Sequence, residues 1–214
     1  MNKLASGAFI TFEGGEGAGK STQIKLLAAR LEALSLPVTL TREPGGSPGA
    51  EEIRTLLVTG EGDRWSGLSE SLLHFAARAD HLERLIKPAR ARGEWVLCDR
   101  FADSTLAYQG GGHGLNRAAI QTLYDLVVGE QGPELTLILD LPIDVGLARA
   151  ASRGEGEDRY EKMGQAFHER LRAAFLEIAR ENPDRCVVID ATADIDAVEA
   201  AIWAAVADRF SLSS

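Results

Sequence analysis

The stretch Gly14-Gly15-Glu16-Gly17-Ala18-Gly19-Lys20-Ser21-Thr22 constrains this chain more than any other. It follows an apolar run of strand length, Ala8–Glu13, and precedes a helical pattern over Gln23–Leu34, so it reads as the turn of a strand–loop–helix unit. Gly14, Gly19, Lys20 and Ser21 satisfy the spacing G-x-x-x-x-G-K-[ST]. A backbone this bare lets successive N–H groups turn inward around phosphate oxygens, and the helix that follows adds the positive end of its dipole. Lys20 is placed to neutralise terminal phosphates, and Ser21 to offer an oxygen to Mg²⁺. The whole stretch from Gly14 to Thr22 is therefore expected to cradle a nucleoside triphosphate. A flexible surface turn is the bland alternative, and the strand before and helix after argue against it.

The rest of the chain supplies a frame for such a loop. Apolar runs at Ala8–Glu13, Pro37–Arg42, Trp95–Asp99, Leu135–Leu141 and Cys186–Asp190 alternate with segments of helical spacing. That alternation predicts an α/β fold, a five-stranded parallel sheet with helices on both faces. Tyr160, Met163, Phe167, Leu171, Phe175 and Ile178 fall on one face of an expected helix, as do Ile120, Leu123, Tyr124 and Val127. Leu82, Leu85 and Ile86, with Leu72, Leu73 and Phe75 upstream, form a third apolar face. Glycine and proline cluster at Pro44–Gly49, Gly110–Gly114 and Gly154–Gly156, which read as loops. No repeat, linker or second domain is evident over the 214 residues.

Composition narrows the partners. The net charge of −9 argues against a general grip on nucleic acid, so any bound anion must be held locally. Cys98 and Cys186 lie in separate apolar runs without metal-ligand spacing and read as reduced core thiols. The short apolar stretch near the N-terminus suits neither a signal peptide nor a membrane span, so the expectation is a cytoplasmic protein with no membrane partner.

Phosphate cradles serve many chemistries, and further signatures discriminate among them. Phe12-Glu13-Gly14, Thr41-Arg42-Glu43-Pro44-Gly45-Gly46, Phe75-Ala76-Ala77-Arg78, Asp99-Arg100-Phe101 followed by Ser104, Ala107, Tyr108, Gln109 and Gly110, and Asp158-Arg159-Tyr160-Glu161 occur in this order. In type and order they resemble bacterial thymidylate kinases over nearly the whole chain. The resemblance implies a P-loop nucleoside monophosphate kinase fold with a lid at about 149–162. It implies transfer of a phosphoryl group from ATP to dTMP, giving dTDP and ADP for dTTP synthesis, in a homodimer. It also implies that Arg100 and Arg54 hold the acceptor phosphate, that Arg78 faces the thymine edge with Ser104, Thr105 and Gln109 near the base, and that Tyr108 crowds the sugar at its 2′ position. The family's base-stacking aromatic corresponds here to His74, with Phe75 next to it, and either can take that part.

Two further assignments stay open in the sequence. Asp99 and Asp140 each close an apolar run, as an acid that holds Mg²⁺ would; the resemblance favours Asp99, with Glu13 as a neighbour able to touch metal or sugar, and Asp140 is expected instead near a helix start before Pro142. Because Gly15 to Ala18 carry no basic residue, the charge that develops on the transferring phosphoryl must be met from elsewhere. Arg153 is the first candidate, with Arg149 and Arg159 beside it in the expected lid; the alternative is a salt-bridged surface, since Glu155, Glu157, Asp158 and Glu161 intervene. A deoxynucleoside kinase would share the cradle but need a carboxylate base, for which Glu43 is the candidate.

Overall fold

Five runs rich in Val, Ile, Leu and Phe form the sheet: β1 (Phe9–Glu13), β2 (Val38–Arg42), β3 (Trp95–Asp99), β4 (Leu135–Asp140) and β5 (Cys186–Asp190). They lie in the order β2-β3-β1-β4-β5 and every pair is parallel. In this computed structural model the described residues are 7–60, 64–151, 159–160 and 163–212. Each strand begins and ends within one residue of the apolar run that predicts it. The central strands β1, β3 and β4 are buried along nearly their whole length because helices cover both faces, and the edge strands β2 and β5 are only partly buried.

The pleat divides the strand side chains between two apolar layers. Ile10, Phe12, Leu97, Leu137 and Leu139 face α1 (Lys20–Ala33) and α9 (Ile195–Phe210), where Ile24, Leu27, Leu31, Val198, Ile202 and Val206 complete a cluster. Phe9, Val96 and Cys98 face the other way. There they meet Phe75 on α3 (Gly67–His81), Leu82 and Ile86 on the π-helical turn Leu82–Ile86 that continues it, and Ile120 on α6 (Arg117–Val127). Ile138 joins Phe167, Leu171, Phe175 and Ile178 of α8 (Gln165–Glu181) in a third cluster. The remaining helices are α2 (Pro48–Val58), α4 (Lys87–Ala91), the short α5 (Ala102–Thr105) and α7 (Ile143–Ala151), with a 3₁₀ turn at Gly129–Gln131.

Several expectations are corrected. Tyr160 and Met163 precede α8 and pack on its cluster from a turn, so the apolar stripe continues past the helix that explains only its later members. Leu72 is half exposed and lies outside the core. Gly110 to Gly112 end a π-helical segment, Leu106–Gly112, and do not form a loop. A Cβ on Gly111 would lie 2.5 Å from Ala174 Cβ, and one on Gly112 2.4 Å from the Phe167 ring, so these glycines record close packing against α8. The Pro44–Gly49 cluster is a loop only as far as Ser47, since Pro48 starts α2, where its missing N–H costs nothing. Arg153, Lys162 and the Gly154–Gly156 cluster lie outside the described residues. Cys98 and Cys186 are buried free thiols, and no helix among the described residues is long and apolar enough to cross a membrane.

Candidate active site

The crevice opens where the strand order reverses. β1 lies between β3 and β4, and the segments leaving the carboxyl ends of β1, β2 and β3 converge there. Gly14 and Gly17 shape the cradle by close approach: each has positive φ, and an added Cβ would lie 2.4 Å from the Leu139 carbonyl oxygen at Gly14 and 2.0 Å from that of Gly146 at Gly17. Gly19 caps α1 without a side chain, so no side chain competes for the N–H groups of its first turn, where Lys20, Ser21 and Thr22 sit. Lys20 is buried, and its Nζ donates to the carbonyl oxygens of Gly14 (3.2 Å) and Gly15 (2.9 Å). Burial and the nearby Arg100 lower its pKa to about 8 against the opposing pull of Asp99, Glu16 and Glu13. The Ser21 hydroxyl donates to Asp99 Oδ2 at 2.8 Å, which puts two hard oxygen donors side by side at the mouth of the cradle.

Beyond the cradle lies a cavity that opens to solvent. Arg54, His74, Arg78 and Arg100 line it, and so do Ser104, Thr105, Tyr108 and Gln109. Arg100 has a left-handed backbone, φ 68°, unusual for a residue with a side chain. The turn is pinned by Arg100 N–H to the Phe12 carbonyl (2.9 Å) and by Phe101 N–H to Glu13 Oε1 (2.8 Å). The Arg100 guanidinium reaches the Gly14 carbonyl (2.9 Å) and Glu16 Oε1 (2.8 Å), with its centre 5.0 Å from the middle of the Tyr108 ring. Arg54 donates to the Pro44 carbonyl at 2.6 Å.

Arg78 is almost wholly buried. Its Nε donates to Glu43 Oε2 (2.8 Å) and its Nη2 to Thr105 (3.1 Å), while Nη1 has no hydrogen-bond partner. Gln109 is likewise buried, with Nε2 donating to Glu70 Oε1 at 3.3 Å and Oε1 without a partner. A guanidinium donor and an amide acceptor left unpaired in one buried wall are what a ligand with a complementary edge would satisfy.

Comparison with known proteins agrees with this geometry. Residues 12–202 match the family model described as thymidylate kinase. A thymidylate kinase from Caulobacter vibrioides is 62% identical over 209 residues, covering 98% of this chain and 100% of the relative. The chain belongs to the thymidylate kinase family. A relative from Nitrobacter hamburgensis, also named thymidylate kinase, is 53% identical, covering 96% of this chain and 90% of its own length. The crystal structure of the Ehrlichia chaffeensis thymidylate kinase superposes with a TM-score of 0.76 at 35% identity, over 94% of this chain and 99% of that one. The P-loop fold expected from the sequence is thus the fold of its family.

Set against the family pattern, the structure redistributes several residues. His74 lines the cavity, whereas Phe75 is buried in the core with the Arg78 guanidinium 4.6 Å from its ring centre. Burial, with Arg78, Arg159, Arg100 and Arg54 around it, lowers the His74 pKa to about 3 and leaves a neutral ring. Glu16, a residue of the cradle stretch, also lines this cavity and accepts from Arg100 and from the Tyr108 hydroxyl (2.6 Å). Burial opposes its charge, but Arg100 and Lys20 prevail and hold its carboxyl at about 2. The oxygens of Glu13 accept from Phe101 N–H and from the Ser104 hydroxyl (2.5 Å), and burial with Asp103 nearby raises its pKa to about 8. Asp140 pairs with both Arg172 Nε (2.7 Å) and Nη2 (2.8 Å), so it is a structural partner of α8.

Arg159, expected in the lid, packs against α3. It is buried, bonded twice to the carboxylate of Glu70 (3.1 and 3.2 Å) and to the Leu57 carbonyl (2.8 Å). The next residue, Tyr160, forms part of the cavity wall and donates to Glu70. Arg149 is exposed at the end of α7. The sequence reading missed Glu70 and His81, whose Nδ1 lies 3.0 Å from Glu43 and whose Nε2 lies 2.7 Å from Thr41. Both sit on the apolar-patterned α3, and a buried charge whose partner lies far along the chain leaves no spacing signal.

Proposed function

We propose that the two ends of this crevice hold ATP and dTMP with their phosphates facing each other. Membership of the thymidylate kinase family makes the chain a phosphotransferase acting on dTMP. The observation that carries the residue-level reading is that Arg78 and Gln109, with Nη1 and Oε1 buried and unpaired, line the same cavity as Arg100, which in turn bonds to the cradle at the Gly14 carbonyl. The first-turn amides of α1 and Lys20 bind the phosphates of ATP. Arg100 and Arg54 hold the acceptor phosphate, and Arg100, adjoining the cradle through the Gly14 carbonyl, spans both substrates.

Arg78 and Gln109 meet the edge of the base, and the neutral ring of His74 takes the stacking position that Phe75 vacates. Tyr108 stands against the sugar. Ser104 and Thr105 support the arginines, through Arg100 Nη1 at 3.4 Å and Arg78 Nη2 at 3.1 Å. The acceptor is an already ionised phosphate oxygen, so the reaction needs no general base. Glu43 accordingly serves as counter-charge to Arg78, and its buried bonds to Arg78 and His81 disfavour the deoxynucleoside kinase reading.

Mg²⁺ fits the paired oxygens of Ser21 and Asp99. No group of three or more His, Cys, Asp or Glu among the described residues could hold a metal alone, which suits an ion shared with substrate phosphates. When bound, it draws charge off the phosphate oxygens during transfer. A lid arginine, Arg153 or Arg149, completes the neutralisation. The chain works as one domain in the cytoplasm, and as a homodimer through α3 and α6, where Leu68, Leu72 and Leu126 are exposed. Initial rates with ATP, Mg²⁺ and a panel of nucleoside mono- and unphosphorylated acceptors test the reading. dTMP should be converted and thymidine left untouched; turnover of thymidine with dTMP inert would overturn it. Light scattering of the purified chain should give twice the chain mass.

A further inference from the structure

Glu70 is fully buried in the first turn of α3, yet two polar residues of the acceptor-cavity wall, Gln109 and Tyr160, bond to it. We infer that Glu70 sets base selectivity by fixing which end of the Gln109 amide faces the base, an inference that rests on reading the cavity as the nucleoside monophosphate site. Arg159 bonds to both of its oxygens, Nη1 to Oε1 and Nη2 to Oε2, and Tyr160 donates its hydroxyl proton to Oε1. A carboxylate paired in this way offers acceptors only. The Gln109 amide can therefore meet it only through its NH₂ end, and Nε2 does so at 3.3 Å.

The consequence is geometric. With Nε2 turned to Glu70, Oε1 is left as an acceptor without a partner, in the same cavity wall as the unpartnered donor Arg78 Nη1. A pyrimidine edge with a carbonyl beside a ring N–H, as in thymine or uracil, satisfies both atoms. Held by its sugar and phosphate in the same register, a cytosine edge presents the reverse order, an NH₂ towards the guanidinium donor and a bare ring nitrogen towards the amide oxygen, and satisfies neither. Leaving buried polar groups unpaired is a strong means of rejection. Were the Gln109 amide free to turn over, its NH₂ could serve the bare nitrogen and part of that rejection would disappear. Glu70 thus acts as a positioning residue through Gln109, with Arg159 as its counter-charge.

The test uses the purified full chain, with dissociation constants for dTMP and dCMP obtained by calorimetric titration and dCMP measured by displacement of dTMP. Glu70→Gln substitutes a group that can donate as well as accept, and should lower the preference for dTMP over dCMP by about tenfold. In a Gln109→Leu background the same substitution should leave the preference unchanged, because the amide it acts through is gone. An unchanged preference, or the same loss in both backgrounds, would overturn the inference and reduce Glu70 to a structural ion pair. Should Glu70→Gln alone fail to fold, Glu70→Gln with Arg159→Met removes both charges together and is expected to show the same loss. Failure of the wild-type chain to phosphorylate dTMP would instead refute the reading of the cavity itself.

Discussion

Replacing Glu13 by Gln tests the electrostatics beneath Arg100 without altering shape. Glu13 is wholly buried and accepts from Phe101 N–H and the Ser104 hydroxyl. Burial first, and the charge of Asp103 second, raise its pKa from the ordinary 4.5 to about 8, against the opposing effects of Ser104, Arg100 and the Phe101 amide. Between these two values the folded chain keeps a proton that the unfolded chain has released. Stability contributed by this group is therefore complete below pH 4.5 and is lost as pH rises through 8, at about 1.4 kcal/mol per pH unit. The Glu13→Gln side chain can still accept from Phe101 N–H, and its NH₂ can meet the Ser104 oxygen with that bond reversed, but it does not titrate. From pH 6 to pH 8 the difference in unfolding free energy should shift in favour of the variant by about 2 to 3 kcal/mol. Urea denaturation of both proteins at pH 5, 6, 7 and 8 measures this. A difference that stays constant over that range would show that Glu13 is ionised in the fold, and would refute the argument that burial outweighs its neighbouring donors.

Other outcomes can be checked separately. Lys20→Ala should reduce turnover by about a thousandfold or more while the circular dichroism spectrum is retained, and substantial residual turnover would remove Lys20 from the phosphates. Arg153→Ala is expected to lower kcat far more than it raises KM for dTMP; a change in KM alone would move that residue to the acceptor site. Gly112→Ala forces a methyl into the Phe167 ring and should cost about 1 to 3 kcal/mol in chemical denaturation. His74, held neutral down to about pH 3, contributes stability that is complete above 6.5 and lost as pH falls toward 3. His74→Phe should flatten the decline in stability between pH 6.5 and 4, and an equally steep decline in the variant would place the acid sensitivity elsewhere.

What was legible in the sequence and what was not follow from how far each signal reaches. The strands announce themselves because a parallel strand covered on both faces is an uninterrupted apolar run, and the cradle does so because its chemistry is compressed between Gly14 and Thr22. The π-helical segment was hidden because Gly110 to Gly112 look like a loop until α8 is placed against them. The choice between His74 and Phe75 depended on which side of one helix meets the core, and a periodicity already blurred by the adjoining π-turn could not settle it. Arg159 was legible as a cation near a glycine break, but its partner Glu70 lies 89 residues earlier, on a helix read only for its apolar face.

Four carboxylates of the site share one physical role. Glu13, Glu16, Glu43 and Glu70 each stand behind a donor: the Arg100 turn, Arg100 with Tyr108, Arg78 with His81, and Arg159 with Tyr160 and Gln109. On charge alone, a site for two polyanions in a chain of net charge −9 is expected to exclude carboxylates. Long guanidinium side chains, however, lose much rotamer freedom when they are fixed in place, and a buried carboxylate accepting one edge of an arginine leaves the opposite edge aimed at the substrate. The arginine then carries less net field but needs less reorganisation as the substrates arrive. Selectivity in such a site comes from where each donor points, so removing a rear carboxylate should disturb which ligand is preferred more than how strongly phosphate is attracted.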